Sequence, residues 1–176
     1  VDVTPDPAPQ GPRPRGDAGA GGGLLDPVVI ASLALLIAND HVFKALARGT
    51  PWSVVTGKVS DVAGLVFLPV LIVAALEVLA TWRGRYRGPS PRQAVVVAVV
   101  VAVLFTGMKT SDVVGEAYAW TLGALQWPFR ALLATLRDVA VPAWQPVAHV
   151  VDPTDVVGVV GVGVVVWQTR RRARRG

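Results

Sequence analysis

The chain contains no cysteine. A disulfide framework, a thiolate metal site and a thiol nucleophile are therefore excluded. Charge is also scarce: 16% of residues are Asp, Glu, Lys or Arg, against about 25% in soluble domains. Lysine is scarcer still, since 17 basic residues include only Lys44, Lys58 and Lys109 as lysines. Two histidines, His41 and His149, leave little imidazole chemistry. No G-x-S-x-G nucleophile elbow and no H-E-x-x-H zinc motif occurs. Gly57-Lys58 lacks the rest of a phosphate loop, because Trp52 and Val59 stand where glycine and Ser/Thr are required.

What is abundant is apolar: 52% of residues are hydrophobic, and the mean hydropathy is +0.50. These residues are gathered in runs, the pattern of a membrane protein whose first partner is the lipid bilayer. The net charge of +5 is segregated. Arg83, Arg85, Arg87 and Arg92 share one stretch, and Arg170, Arg171, Arg172, Arg174 and Arg175 end the chain. Both clusters border apolar runs, so they read as positive-inside anchors and not as a nucleic-acid surface.

The expected fold is all-α: an integral membrane helical bundle of four transmembrane helices plus an outer amphipathic helix. Residues 1–23, rich in Pro, Gly and Asp, read as a disordered tail with neither the charged start nor the apolar core of a signal peptide. A transmembrane domain over 24–168 follows, with spans at about 27–46, 62–82, 93–108 and 156–167, and then a basic tail over 169–176. A span needs about 20 residues, so the third and fourth must include the polar motifs beside them. The Val-rich runs lack period-2 alternation, against a β-barrel. Within residues 117–144, apolar residues at three- and four-residue spacing and three tryptophans predict an interfacial helix bracketed by Pro128 and Pro142; a tilted or re-entrant fifth helix is the alternative. The arginines place both termini in the cytoplasm and the protein in the cytoplasmic membrane.

One pattern is written three times: Ser60-Asp61-Val62-Ala63-Gly64, Ser111-Asp112-Val113-Val114-Gly115 and Thr154-Asp155-Val156-Val157-Gly158. In this topology each copy falls on the outer side. Asn39, Asp40 and His41 lie late in the first span, displaced the same way. Each lysine accompanies one of these motifs: Lys44 four residues after Asp40, Lys58 three before Asp61, Lys109 three before Asp112. With Asp152, the candidate polar cluster is Asn39, Asp40, His41, Lys44, Lys58, Ser60, Asp61, Lys109, Ser111, Asp112, Asp152, Thr154 and Asp155.

Helix capping accounts for each copy taken alone, because Ser/Thr-Asp satisfies the free N–H groups at a helix start. Capping does not account for Asp40 and Lys44, ionisable groups within a span that are costly unless paired or functional. An internal Asp40–Lys44 ion pair is the simplest reading of those two. His41 with Asp40, Asp61 or Asp155 has ligand chemistry, but a lone histidine near a helix end reads as an interfacial polar group. No metal or other cofactor is implied.

Asn39-Asp40-His41-Val42-Phe43-Lys44, Thr56-Gly57-Lys58-Val59-Ser60-Asp61-Val62-Ala63-Gly64-Leu65 and Asp152-Pro153-Thr154-Asp155 carry a resemblance. They are similar to the N-D-H-x-x-K, T-G-K-L-S-D-x-A-G-L and D-P-T-D-L motifs of a group of uncharacterised bacterial multi-spanning membrane proteins. The resemblance covers about residues 26–168, with Val59 and Val156 in place of leucine, and implies a recurrent polar site of unassigned use. Three functions are compatible: ion, proton or small-solute handling; a structural or accessory membrane protein whose network fixes the fold; and a membrane enzyme acting on a lipid or an extracytoplasmic small molecule. Four short helices leave little room for a path, so transport would call for a homo-oligomer or a membrane partner.

Overall fold

A computed structural model describes residues 19–175, and among them the chain is all-helical, with no strand. Helix α1 spans Pro27–Ala47, α2 Trp52–Trp82, α3 Pro91–Thr110, α4 Asp112–Leu136 and α5 Gly163–Ala173. A short 310 turn, Gly22–Leu25, precedes α1, and a ten-residue 310 helix, Pro153–Val162, runs into α5. Helices α1, α2 and α3 are long and apolar enough to cross a membrane. The expected tail over residues 1–23 lies outside the described residues as far as residue 18.

Local chemistry sets the helix starts. Asp26 accepts a hydrogen bond from the Val28 N–H with Pro27 at the first helical position, and Ser90 does the same for Gln93 ahead of Pro91. Helix α2 begins at Trp52, ten residues before the span expected from Val62, just after Pro51. Its Ser60-Asp61 pair is therefore interior and caps nothing. The helix runs through this polar stretch because the side chains find partners on neighbouring helices, as described below. At about 1.5 Å per residue, 31 residues measure about 46 Å. That exceeds the roughly 30 Å of a bilayer's hydrocarbon core.

Helix α4 also differs from expectation. It starts at Asp112 and ends at Leu136, with Pro128 inside it. The one hydrogen bond that proline removes is outweighed by the turns on either side. Residues 137–152 are not helical; they fold back along α4. The Val147 N–H donates to the Ala119 carbonyl, Trp127 Nε1 donates to the Pro142 carbonyl, and Trp144 meets the Trp120 ring edge-on. Gly123 permits this contact, since a Cβ there would lie 2.3 Å from the Gln145 carbonyl oxygen.

The helices α1, α2, α3 and the 310–α5 segment alternate in direction. The core between them is Val29, Leu65, Val70, Val73, Val97 and Phe105 with their neighbours. The 310 helix approaches α2 closely through Gly158 and Gly161, where a Cβ would come within 3.2 Å of Leu65 and 3.1 Å of the Val62 carbonyl. Large apolar side chains such as Ile30, Ile37, Val96, Val99, Val103 and Leu104 point outward. Such a surface is unfavourable in water and ordinary against lipid tails.

Candidate functional site

At one end of the bundle α2 carries Thr56, Lys58, Ser60 and Asp61 within two turns, and three other elements bring partners to them. From α1, the Asn39 side chain is buried and donates to the Thr56 carbonyl at 2.7 Å and to Ser60 Oγ at 2.6 Å. Ser60 Oγ donates onward to Asp40 Oδ1 at 2.7 Å, and Lys44 Nζ lies 2.7 Å from the same oxygen. Asn39–Phe43 form a π-helical turn within α1. Such turns interrupt the regular ladder and recur at functional sites.

On the other side of α2 the 310 helix and α3 complete a row of alternating charge. Lys58 Nζ lies 2.9 Å from Asp155 Oδ1, and Lys109 Nζ lies 2.6 Å from Asp155 Oδ2 and 3.1 Å from Asp61 Oδ2. The row therefore reads Lys58–Asp155–Lys109–Asp61 across three elements. Lys58 also donates to Thr154 Oγ1, which donates to Asp152 Oδ1 at 2.7 Å, and the Thr154 N–H donates to that same oxygen at 2.9 Å. These two bonds from Thr154 hold the Asp152 carboxyl below its ordinary range. The Lys109 and Asp155 side chains are only 12% and 11% exposed, so this pair is largely shielded from solvent. No buried side-chain polar atom is left unsatisfied among the described residues.

Ten of the thirteen candidates thus join one belt around the start of α2: Asn39, Asp40, Lys44, Lys58, Ser60, Asp61, Lys109, Asp152, Thr154 and Asp155. Three stand apart. Ser111 caps α4, accepting from the Val114 N–H. Asp112 and His41 are exposed and make no ion pair among the described residues. No group of three His, Cys, Asp or Glu residues suited to a metal ion occurs among the described residues.

The three copies of the repeat are not used alike. The first lies inside α2 and supplies Ser60 and Asp61 to the belt, while its Gly64 faces open space. The second caps α4, and its Gly115 is a notch for His149, whose ring a Cβ would approach within 2.8 Å. His149 Nε2 lies 2.7 Å from the Met108 carbonyl. That oxygen can only accept, so Nε2 carries the proton. In the third copy the cap is Asp152, two residues ahead of Thr154, which leaves Asp155 free to pair with both lysines.

A second ionic site, outside the thirteen candidates, lies at the opposite end. The Glu77 side chain is 1% exposed and accepts a two-pronged contact from Arg172, at 3.0 Å to Oε1 and 3.1 Å to Oε2. The Gly21 N–H donates to Glu77 Oε2 at 2.8 Å, and Arg172 also donates to the Gly19 carbonyl. Buried Gln168 donates to the Gly23 carbonyl. Residues 19–23, α2 and α5 are thereby tied together. The available signal was a single acid in the apolar run from Val62 to Trp82, a charge that burial makes costly without a partner. The same contacts put both arginine clusters at this end of the bundle.

No protein-family model, curated protein or solved structure matches the chain.

Proposed function

We propose that the chain is a four-span membrane protein of structural or accessory type, in which an ionic clasp at each end fixes the helices. The 310–α5 segment is the fourth span. Ten residues at about 2.0 Å and eleven at about 1.5 Å give about 36 Å, enough for a hydrocarbon core of roughly 30 Å. The arginine-bearing end faces the cytoplasm by the loop-charge rule, which puts the residue 39–61 belt on the outer side of the cytoplasmic membrane. The similarity to bacterial membrane proteins noted above accords with this setting.

The observation that carries the reading is Lys109. Its ammonium is closed between carboxylates from two other elements, and Lys44 and Lys58 are each ion-paired as well, with Asp40 and Asp155. The charges are spent on one another across helices, as in a joint. Between Asp61 and Glu77, α2 contributes 15 consecutive apolar residues, about 22 Å of helix with no polar step for an ion.

The test is a double-mutant cycle of Lys109→Met and Asp61→Asn, read by thermal unfolding in nanodiscs and by proton flux in proteoliposomes. A clasp gives a coupling energy of about 0.5–3 kcal/mol and an unchanged flux. Additive losses, or a flux that falls with Asp61→Asn, would sink it. A second reading, proton or cation handling at the outer face, draws on the convergence of Asp61 and Asp155 on one ammonium. The flux arm of the same experiment reads it.

A further inference from the structure

The outward face of α5 changes character along its length. Gly163, Val166, Trp167, Arg170, Arg171 and Arg174 recur at three- and four-residue spacing, so they share one stripe. Together with Arg175 they line one groove. The opposite face holds buried Val165, Gln168 and Thr169 and the clasp from Arg172 to Glu77, which fixes the rotation of the helix. We infer that the stripe is a binding site for an anionic phospholipid carrying two phosphates. The phosphates lie on the arginines, and an acyl chain runs along Trp167, Val166 and Gly163.

Charge sets the class of ligand. Arg170, Arg174 and Arg175 make no ion pair among the described residues, and Arg171 reaches only Asp26, at 4.0 Å. The belt lysines and Arg172, by contrast, are all held by carboxylates. Like charges four apart on a helix repel, and Arg170–Arg174 and Arg171–Arg175 are two such pairs. The free carbonyls of the last turn offset part of that repulsion; an anion set between the guanidinium groups offsets more. Guanidinium forks take phosphate oxygens two at a time. The pairs Arg170–Arg171 and Arg174–Arg175 stand about 6 Å apart along the axis. They form two ranks of cations, one for each of two phosphates joined by a glycerol bridge.

Polarity along the stripe selects a lipid over a soluble polyanion or a nucleic acid. Arginines anywhere near a helix end would serve general attraction to a membrane surface. Here they continue an apolar stripe that runs about 16 Å from Arg174 to Gly163, into the apolar part of the proposed fourth span. Trp167 is 51% exposed, and the Arg171 guanidinium lies 5.4 Å from the centre of its ring. An aromatic ring with a cation over it suits the level where headgroup meets tail. Beyond Trp167 the stripe carries no polar side chain. A Cβ on Gly163 would meet nothing within 4 Å, so the floor of the groove is open there. A water-soluble anion matches the arginines and leaves this floor unused; an amphiphile matches both.

The inference rests on the four-span placement proposed above, with α5 in the last span, and the experiment separates the two. Reconstituted in phosphatidylcholine vesicles, the full chain should resist extraction by alkaline carbonate. In neutral detergent, native mass spectrometry should show diphosphatidylglycerol bound more tightly than phosphatidylglycerol at equal phosphate concentration, and phosphatidylcholine bound least. Arg170→Gln with Arg174→Gln should weaken diphosphatidylglycerol binding roughly thirtyfold, the worth of two arginines beside an anionic lipid. Arg83→Gln with Arg85→Gln makes the same charge change off the stripe and should leave binding nearly unchanged. Gly163→Leu extends a side chain into the open floor. It should weaken binding while the lipid-free chain melts as wild type does. Equal losses in the two arginine variants, or wild-type binding by Gly163→Leu, overturn the lipid site. So does displacement of the lipid by inorganic pyrophosphate or an RNA oligonucleotide at matched phosphate concentration. Extraction of the wild-type chain by carbonate overturns the four-span placement itself.

Discussion

Replacing Arg172 with leucine should be among the most damaging single changes in the chain. Glu77 is 1% exposed, and without the guanidinium its carboxylate keeps only the Gly21 N–H among apolar side chains. Removing one partner of a buried ion pair costs about 3–5 kcal/mol. For a chain of this size 1 kcal/mol moves the melting temperature by about 2–4 °C, so Arg172→Leu should lower it by about 6–20 °C. Glu77→Gln should cost less, because the amide oxygen still accepts from Gly21 and one guanidinium bond. The decisive variant is the double, Glu77→Leu with Arg172→Leu. Exchanging a buried pair for apolar residues is often neutral or stabilising, and here the remaining penalty is the orphaned Gly21 N–H, about 1–3 kcal/mol. The double should therefore melt above Arg172→Leu alone. Thermal unfolding in nanodiscs gives the order, and amide exchange at Gly21 shows whether residues 19–23 have released. A double variant as unstable as Arg172→Leu would refute the argument that the loss comes from a stranded charge.

The repeat makes a contrasting set of predictions. Gly64→Ala should stay within about 1 kcal/mol of wild type, the scale of a Gly-to-Ala helix-propensity change, because open space lies around it. Gly115→Ala and Gly123→Ala should cost about 1–3 kcal/mol by overpacking and expose residues 137–152 to protease, since they press on His149 and on the Gln145 backbone. Equal stability of all three variants would refute the notch assignment. Asn39→Ala should cost about 1–3 kcal/mol by removing two buried donations, while His41→Ala should leave the melting temperature unchanged. Because the carboxyl of Asp152 is held below its ordinary range, its contribution is complete above the unfolded value of about 3.9 and is lost as pH falls through the folded value; exchange at the Thr154 amide should quicken there. With no native cysteine, single Ser53→Cys and Arg87→Cys variants test orientation directly. An impermeant maleimide added to intact cells should label the first and spare the second, and the reverse pattern would invert the topology.

Helical class and the three long apolar segments were legible because hydrophobic run length needs no tertiary information. So was the Asp40–Lys44 pair, four residues apart on one helix. The start of α2 was not. Lys58, Ser60 and Asp61 read as the polar residues of a loop or cap, and only partners 20 to 97 positions away in the chain make them tenable inside a helix. Likewise Pro128 reads as a boundary, but a helix of 25 residues continues past it.

The sequence by itself determined which segments are apolar enough for lipid, that the arginines gather in two clusters and that lysine gathers near aspartate, since these depend on composition and local spacing. Tertiary structure decided which carboxylate each lysine meets. It drew network carboxylates from the first and third copies of the repeat, and a helix cap and a packing notch from the second, although the three look alike. It also matched Glu77 with an arginine 95 positions away. Ion pairing between helices is set by distances of about 3 Å across segments joined only through long apolar stretches, and such distances are fixed by packing alone.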